Sequence, residues 1–432
     1  MQSPEEPSQQ SAQSDDPARS TPALSAAGRP LSPRWLAVIV TIWAGQAISI
    51  VTSYAAGYAA VWYVTETTGS AAMLSLANIF AALPIGLIAP FAGVVADKHN
   101  RKAIMVVADL SVGIVSLIMG FLIVGGALSF AALMVFVVAR SVAMAFHGPA
   151  MMATLPLLVP EKHLLRINVL DQVLISIASI GAPAFGIFLY ETVGFHTVMF
   201  LDFFGALAAV TGLMLAKVPT VRDESAMNQH VLANLRDGWR AVSATRGLVV
   251  VVFGVSLVML VSGPLSALFP LMTYNHFAGG GFEVALAEAV FGGGALVGAG
   301  ILVAWGGGRK LARLIVVATL IVGVTTVGCG LLPSSLFPVF LVLIAVMAVA
   351  CAWFNGPLST LMQKGVPPEK LGRAMSLITA LFGLASPIGI ALGGALAEAV
   401  GIAPLYVIDG VLCLLVGTAM YLPRYVRDLD ES

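Results

Sequence analysis

The chain alternates long apolar runs with short polar interruptions. Runs of twenty or so apolar residues lie near 35–63, 72–96, 103–124, 128–152, 167–190, 195–216, 247–274, 284–305, 311–332, 336–361, 374–397 and 402–422. A helix of about 20 apolar residues crosses the roughly 30 Å hydrocarbon core of a bilayer. Each run therefore predicts a membrane-spanning helix, twelve in all, and an all-α integral membrane fold. Most connections are short. The exception, 217–246, separates six runs from six and predicts a linker between an N-terminal half, 35–216, and a C-terminal half, 247–422. Residues 1–34 are rich in Ser, Pro, Gln and Ala and hold no apolar run, which predicts a disordered tail. They lack the layout of a cleavable signal peptide. A second short tail is expected at 423–432.

Composition sharpens this reading. The chain is 59% hydrophobic and 10% charged, against roughly 45–50% and 25% for ordinary soluble domains. Too few polar groups remain to cover a water-exposed surface. Net charge is zero, so no nucleic-acid partner is indicated. Cys329, Cys351 and Cys413 lie in separate apolar runs and give neither a disulfide framework nor a metal-ligand spacing.

The placement of charge carries more than its sum. Arg19, Arg29 and Arg34 lie in the tail; Lys98, Arg101 and Lys102 in the second connection; Lys162 and Arg166 in the fourth. Lys217, Arg222, Arg236, Arg240 and Arg246 lie in the linker; Arg309, Lys310 and Arg313 in the eighth connection; Lys364, Lys370 and Arg373 in the tenth; Arg424 and Arg427 at the C-terminus. These are 21 of the 22 basic residues, all on one side of a twelve-span topology. Positive charge stays cytoplasmic, so both termini are expected inside.

The halves also repeat at an offset of 207 to 208 residues. FHGPA at 146–150 answers FNGPL at 354–358, VPEKHLLR at 159–166 answers VPPEKLGR at 366–373, and ETVG at 191–194 answers EAVG at 398–401. Asp202 answers Asp409, and Arg101-Lys102 answers Arg309-Lys310. Two six-span halves of one orientation form a parallel repeat about an axis along the membrane normal, and such halves enclose a cavity between them. This is the architecture of a transporter.

WAGQAIS at 43–49, YVTETTGSAAMLSLA at 63–77, GVVADKHNRKAIMVVADL at 93–110, FHGPAMMATLPLLVP at 146–160, SALFP at 266–270 and LGRAMSLI at 371–378 carry a resemblance. Over roughly 35–425 the chain resembles the major facilitator superfamily, and within it the macrolide-efflux branch of the drug:proton antiporters. The resemblance implies a monomeric secondary transporter of the bacterial cytoplasmic membrane, not an enzyme. It would export a hydrophobic or amphiphilic drug-like compound against protons, with no cofactor. An exporter of an endogenous metabolite, such as a siderophore or a lipid-like molecule, is the alternative, as is a sensor that kept the fold and lost transport.

The superfamily's loop between spans 2 and 3 is matched by Gly93, Asp97, Lys98, His99, Asn100, Arg101 and Lys102. By that resemblance Asp97 latches onto a helix N-terminus of the other half, near Arg373, and Arg101 binds a carboxylate of its own half. The plainer reading is an anchor of solvated positive charge. Asn100 stands where the family has Gly, and a left-handed turn is expected there. The second half has Trp305 at the position of Asp97, so the latch is expected on one side only.

Charges within spans cost about 2.5–3.5 kcal/mol each at a helix centre, which makes each a functional candidate. Arg140, the one basic residue inside a span, is expected to pair with Asp109, unless Asp109 serves Arg101. Glu288, Asp109 and Arg140 are the candidates for proton coupling. Duplication favours structural roles for Asp202 and Asp409, and Asp171 complements a helix start. His147, beside Gly148 and Pro149, is read as a helix-bend hydrogen bond or a proton relay. Trp43, Gln46, Ser49, Ile50, Ser53, Gly57 and Tyr58 recur at helical spacing. That stripe, above all Trp43, Gln46, Ser53 and Tyr58, is expected to line a substrate cavity together with His147, although span-to-span packing would use the same residues. GGGRK at 306–310 is not a phosphate loop, and no metal spacing is found.

Overall fold

The computed structural model describes residues 24–25, 34–216, 231–306, 308 and 310–430. The first six spans are α1 (Trp35–Thr68), α2 (Ala71–Lys98), α3 (Arg101–Val124), α4 (Phe130–Leu158), α5 (Glu161–Val193) and α6 (Phe195–Leu215). A short helix, α7 (Val231–Ser243), precedes α8 (Arg246–Ala267), α9 (Phe269–Leu271) and a π-turn at Met272–His276. The chain continues through α10 (Gly281–Trp305), α11 (Leu311–Leu331), α12 (Phe337–Cys351), α13 (Asn355–Gly365), α14 (Pro368–Val400), α15 (Ile402–Tyr421) and α16 (Arg424–Asp428). Twelve segments are long and apolar enough to cross a membrane, in the order that the apolar runs predict. Of the expected tail, residues 1–23 and 26–33 lie outside the described residues; Ser25 is buried, in an isolated antiparallel bridge with Pro160.

Local chemistry sets the ends. The Ser70 hydroxyl accepts from the Met73 N–H at 3.3 Å to start α2, and the Ser129 hydroxyl from Ala132 at 3.1 Å to start α4. Asn100 does the same for α3, accepting from Ala103 at 3.3 Å. This corrects the expected left-handed turn: Asn100 has φ −67° and ψ 107°, because an N-capping side chain needs an extended backbone. The turns from α5 to α6 and from α14 to α15 use one residue each, Gly194 (φ 84°) and Gly401 (φ 90°). Those angles are nearly closed to any other residue, which explains the glycine that ends ETVG and EAVG.

Span 10 is not continuous. It breaks at 352–354 into α12 and α13, although its counterpart α4 runs unbroken through Pro149. The linker region is also more ordered than the sequence reading foresaw. Amphipathic α7 packs on α14, with Gly238 against the Arg373 carbonyl and Trp239 edge-on to Phe253.

Within the first half, α1 packs on α5 and α6, and α3 on α4 and α6; in the second, α8 packs on α14 and α11 on α15. Between the halves, α2 meets α14 and α5 meets α10. These contacts exchange under the repeat, which sends span 2 to span 8 and span 5 to span 11. Close approach rests on small residues, Gly292 against Ile180 and Gly394 against Ser75. Large apolar side chains such as Val135, Met214 and Val303 stay exposed around the outside, as a lipid-facing surface requires.

Candidate functional site

The loops 69–70, 125–129, 277–280 and 332–336 and the single turn residues Gly194 and Gly401 share one end of the bundle and carry no Lys or Arg. The hydrogen bonds described between the halves lie toward this basic-poor end. Asn275 donates to the Gly69 carbonyl at 3.0 Å, the Tyr274 hydroxyl to the Glu66 carbonyl at 3.4 Å, and Asn78 to the Ala267 carbonyl at 3.4 Å. Glu398, at the end of α14, accepts from the Ser70 hydroxyl (3.3 Å) and the Ala72 N–H (3.2 Å) at the start of α2. Its repeat counterpart Glu191 lies against Gly281, the first residue of α10, and accepts from the Trp62 indole at 2.8 Å. Two repeat-related carboxylates thus face the positive end of a helix dipole in the opposite half. Sequence reasoning found these glutamates only as members of a repeated motif; their role required knowing that α5 abuts α10 and α14 abuts α2.

Beneath this closure, three helices converge on Asp202 of α6, which is fully buried. It accepts from Ser53 (2.6 Å, α1), from Ser116 (2.5 Å, α3) and from the Arg140 guanidinium (α4). Arg140 also donates to the Ser53 carbonyl at 2.6 Å and lies over the Phe136 ring. The expected pairing of Arg140 with Asp109 is therefore corrected. Helix α4 runs to Leu158, so Arg140 stands about 15 Å from the basic-poor end and about 27 Å from the other, at 1.5 Å per residue. Asp109 lies about 12 Å from the basic-rich end of α3 by the same rise, too low to meet it.

Asp109 instead accepts from the Gln46 amide at 2.9 Å, and His147 Nε2 stands 3.4 Å from its other oxygen without hydrogen-bond geometry. No bend-stabilising hydrogen bond from His147 is made among the described residues, and its neighbour is the α3 carboxylate. Gln46, Ser53, Asp109, Met144, His147 and Met151 line a cavity of about 470 Å³. It adjoins a chamber of about 420 Å³ between the halves, lined by Ser53, Tyr54, Tyr58, Arg140, Ser266 and Glu288. A third of about 270 Å³ extends into the second half past Tyr58, Ser262, Glu288, Phe291, Met347 and Tyr406. The polar stripe of span 1 lines these chambers, except Trp43, which packs against a cluster around Ile39, Met105 and Leu155.

Glu288 stands where the second and third chambers meet, and its carboxylate makes no hydrogen bond or ion pair among the described residues. Asp409 is buried, with Oδ2 unpartnered, and so is the Tyr406 hydroxyl one turn before it. The repeat pair Asp202 and Asp409 thus share a position and differ in surroundings.

Gly93, Asp97 and Lys98 form the end of α2, where the side chains of Asp97 and Lys98 lie outside the described residues, as do Arg309 and the side chain of Asp171. Arg101 donates to the Ala153 carbonyl at 2.6 Å, and Lys102 to those of Ala216 (2.9 Å) and Met214 (3.2 Å). These bonds tie the loop to the ends of α4 and α6. Arg373 pairs with Asp237 of α7 at 2.7 Å.

Residues 28–432 match the family described as transmembrane secretion effector. Macrolide efflux protein A of Streptococcus pyogenes is 32% identical over 397 residues, covering 92% of this chain and 98% of that protein. Multidrug efflux pump Tap of Mycobacterium tuberculosis is 26% identical, covering 92% and 95%. Among solved structures, a bacterial homologue of the human lysosomal transporter Spinster, inward-facing and unoccupied, superposes with a TM-score of 0.70 at 15% identity, covering 93% and 98%. A bacterial homologue of the iron transporter ferroportin, inward-facing, gives 0.70 at 14%, covering 90% and 99%. With two six-helix repeats around chambers sized for a small molecule, in a bundle sheathed for lipid, the chain belongs to the major facilitator superfamily, as a transmembrane secretion effector of its macrolide-efflux-like branch.

Proposed function

We propose that this protein exports a bulky amphiphilic drug, with macrolides as the first class to test, by proton-coupled alternating access. It would act as a monomer in the cytoplasmic membrane and break no covalent bond of its cargo. The observation that carries this reading is the chain of three chambers joining Asp109 and His147 to Glu288, closed toward the basic-poor end by contacts between the halves. The similarity to macrolide and multidrug efflux proteins supports the cargo class. On this reading, residues 35–216 and 247–422 are the halves that rock, 217–246 joins them, and both termini are cytoplasmic. The chambers then face the cytoplasm, where an exporter loads. Met144 and Met151 supply adaptable walls suited to ligands of varied shape.

Glu288 is the proposed coupling group. It stands at the junction of the chambers and makes no ion pair among the described residues, the Arg140 guanidinium of the same chamber being held by Asp202, so it can carry a proton in one state and release it in the other. Efflux of a macrolide from a pump-deleted bacterium expressing the chain should be abolished by an uncoupler and by Glu288→Gln, with the variant still present in the membrane. Efflux in Glu288→Gln that remains full and uncoupler-sensitive would remove Glu288 from coupling. For the loop Gly93–Lys102, Asp97 is proposed as the latch: Asp97→Asn should slow transport while leaving macrolide binding intact, and full turnover would reduce the loop to an anchor.

A further inference from the structure

Asp202 and Asp409 occupy the same place in the two halves, yet one is neutralised and the other is not. Asp202 is held by Arg140, Ser53 and Ser116. At the repeat offset of 207 to 208, Met347 or Ala348 stands where Arg140 does, and Gly323 or Val324 where Ser116 does. The second half has kept the acid and lost its partners. Asp409 is only 5% exposed with Oδ2 unpartnered, and the fully buried Tyr406 hydroxyl, on the wall of the chamber that holds Glu288, is unpartnered too.

The titratable groups around this pair are Cys413 on the same helix, Cys329 on α11, Cys351 on α12 and Glu288 on α10. Cys413 is within 3.7 Å of the Ser262 hydroxyl on α8. None of these groups is a cation, and the other helices packed on α15 bring none to Asp409 among the described residues. An ionised carboxylate enclosed without a counter-charge is strongly disfavoured.

We propose that Asp409, behind the Tyr406 hydroxyl, is a second proton-carrying carboxylate of the transport cycle, working alongside Glu288, whereas Asp202, tied to Arg140, Ser53 and Ser116, is a structural partner. Only O–H bonds change. The Asp409 proton passes through the chamber to the cytoplasmic side when that chamber hydrates, and the carboxylate takes up another from the opposite side after the halves rock. Two acids that each take up and release their own proton carry two protons per cycle.

The inference rests on the proton-coupled reading, and one experiment set separates their failures. Infrared spectroscopy of the purified full chain in lipid at neutral pH should show carbonyl bands of protonated carboxyl groups. One band should vanish in Asp409→Asn and none in Asp202→Asn. In proteoliposomes given only a pH gradient, with a macrolide as cargo, Asp409→Asn should lower the limiting cargo gradient about tenfold per pH unit imposed, the drive of one proton. Should Asp409→Asn fail to fold, Tyr406→Phe decides, because it keeps the acid and should shift the same band. Wild-type transport insensitive to an uncoupler overturns the proton-coupled reading itself. Uncoupler-sensitive transport with no band lost and an unchanged limiting gradient, or no band moved in Tyr406→Phe where Asp409→Asn is unusable, overturns this inference alone.

Discussion

Arg140 shows how far single residues could be read. A guanidinium inside a span demands a carboxylate, and the sequence offers Asp109 and Asp202 in the same half. Asp202 receives it because α4 continues to Leu158 and raises Arg140 toward the depth of Asp202. Removing one partner of a buried ion pair strands the other, at about 3–5 kcal/mol. Arg140→Met should therefore lower the thermal midpoint of the purified protein sharply, and adding Asp202→Asn should recover much of the loss. Wild-type stability in the single variant would show that the pair bears no structural load. The acids and the arginine were legible because charge is scarce in this chain. Their pairing was not, because it depends on helix register to within a turn, and apolar runs define their ends only to several residues. The Tyr406 hydroxyl left no trace at all: a tyrosine near a helix end reads as an interfacial aromatic until its neighbours are known.

Elements meet in this bundle through paired exchanges, α2 with α14 and α5 with α10. Each carries a glutamate from the end of one helix to the start of another, Glu398 to α2 and Glu191 to α10. A carboxylate at a helix N-terminus contributes about 0.3–1 kcal/mol, and up to about 2 where partly buried. At about 0.3–1 kcal/mol each, replacing both with glutamine should shift the balance away from closure at this end by roughly 3- to 30-fold. Spin labels at Thr67→Cys and Gly280→Cys, with the native cysteines replaced, should report a longer mean distance; an unchanged distance would mean that packing alone closes this end. The glycine of the same motif has its own signature. Gly401→Ala must place a Cβ at φ 90°, with a strain of order 1–3 kcal/mol. The two motifs were visible as a repeat, but a repeat says only that two places are alike, not what they touch. The break in span 10 and the helix at Val231–Ser243 were likewise hidden. Pro149 and Pro357 lie in near-identical sequence, yet one sits in a continuous helix and the other just after a break.

At the scale of the whole molecule, 21 basic residues on one side of twelve spans make a prediction about orientation that is independent of any contact. A cysteine placed at position 98 should react with an impermeant thiol reagent only from the cytoplasmic side, and labelling from outside would overturn the topology. The pseudo-symmetric contacts and the closure at one end match an alternating-access cycle in which the same two interfaces, α2 with α14 and α5 with α10, serve as the pivots. The second half differs from the first in that its buried acid, Asp409, has no arginine partner among the described residues.

Span number, the parallel repeat, the basic-rich side and the family were determined by the sequence alone. Each follows from one-dimensional quantities: the length of apolar runs against bilayer thickness, the spacing of repeated motifs, and the placement of rare charges. The partners of Arg140, the capping role of Asn100, the withdrawal of Trp43 from the cavity and the contrast between Asp202 and Asp409 were decided only by the tertiary structure. Those depend on which helix faces which, and at what height, and no local pattern in the chain encodes a rotation or a register between helices a hundred residues apart.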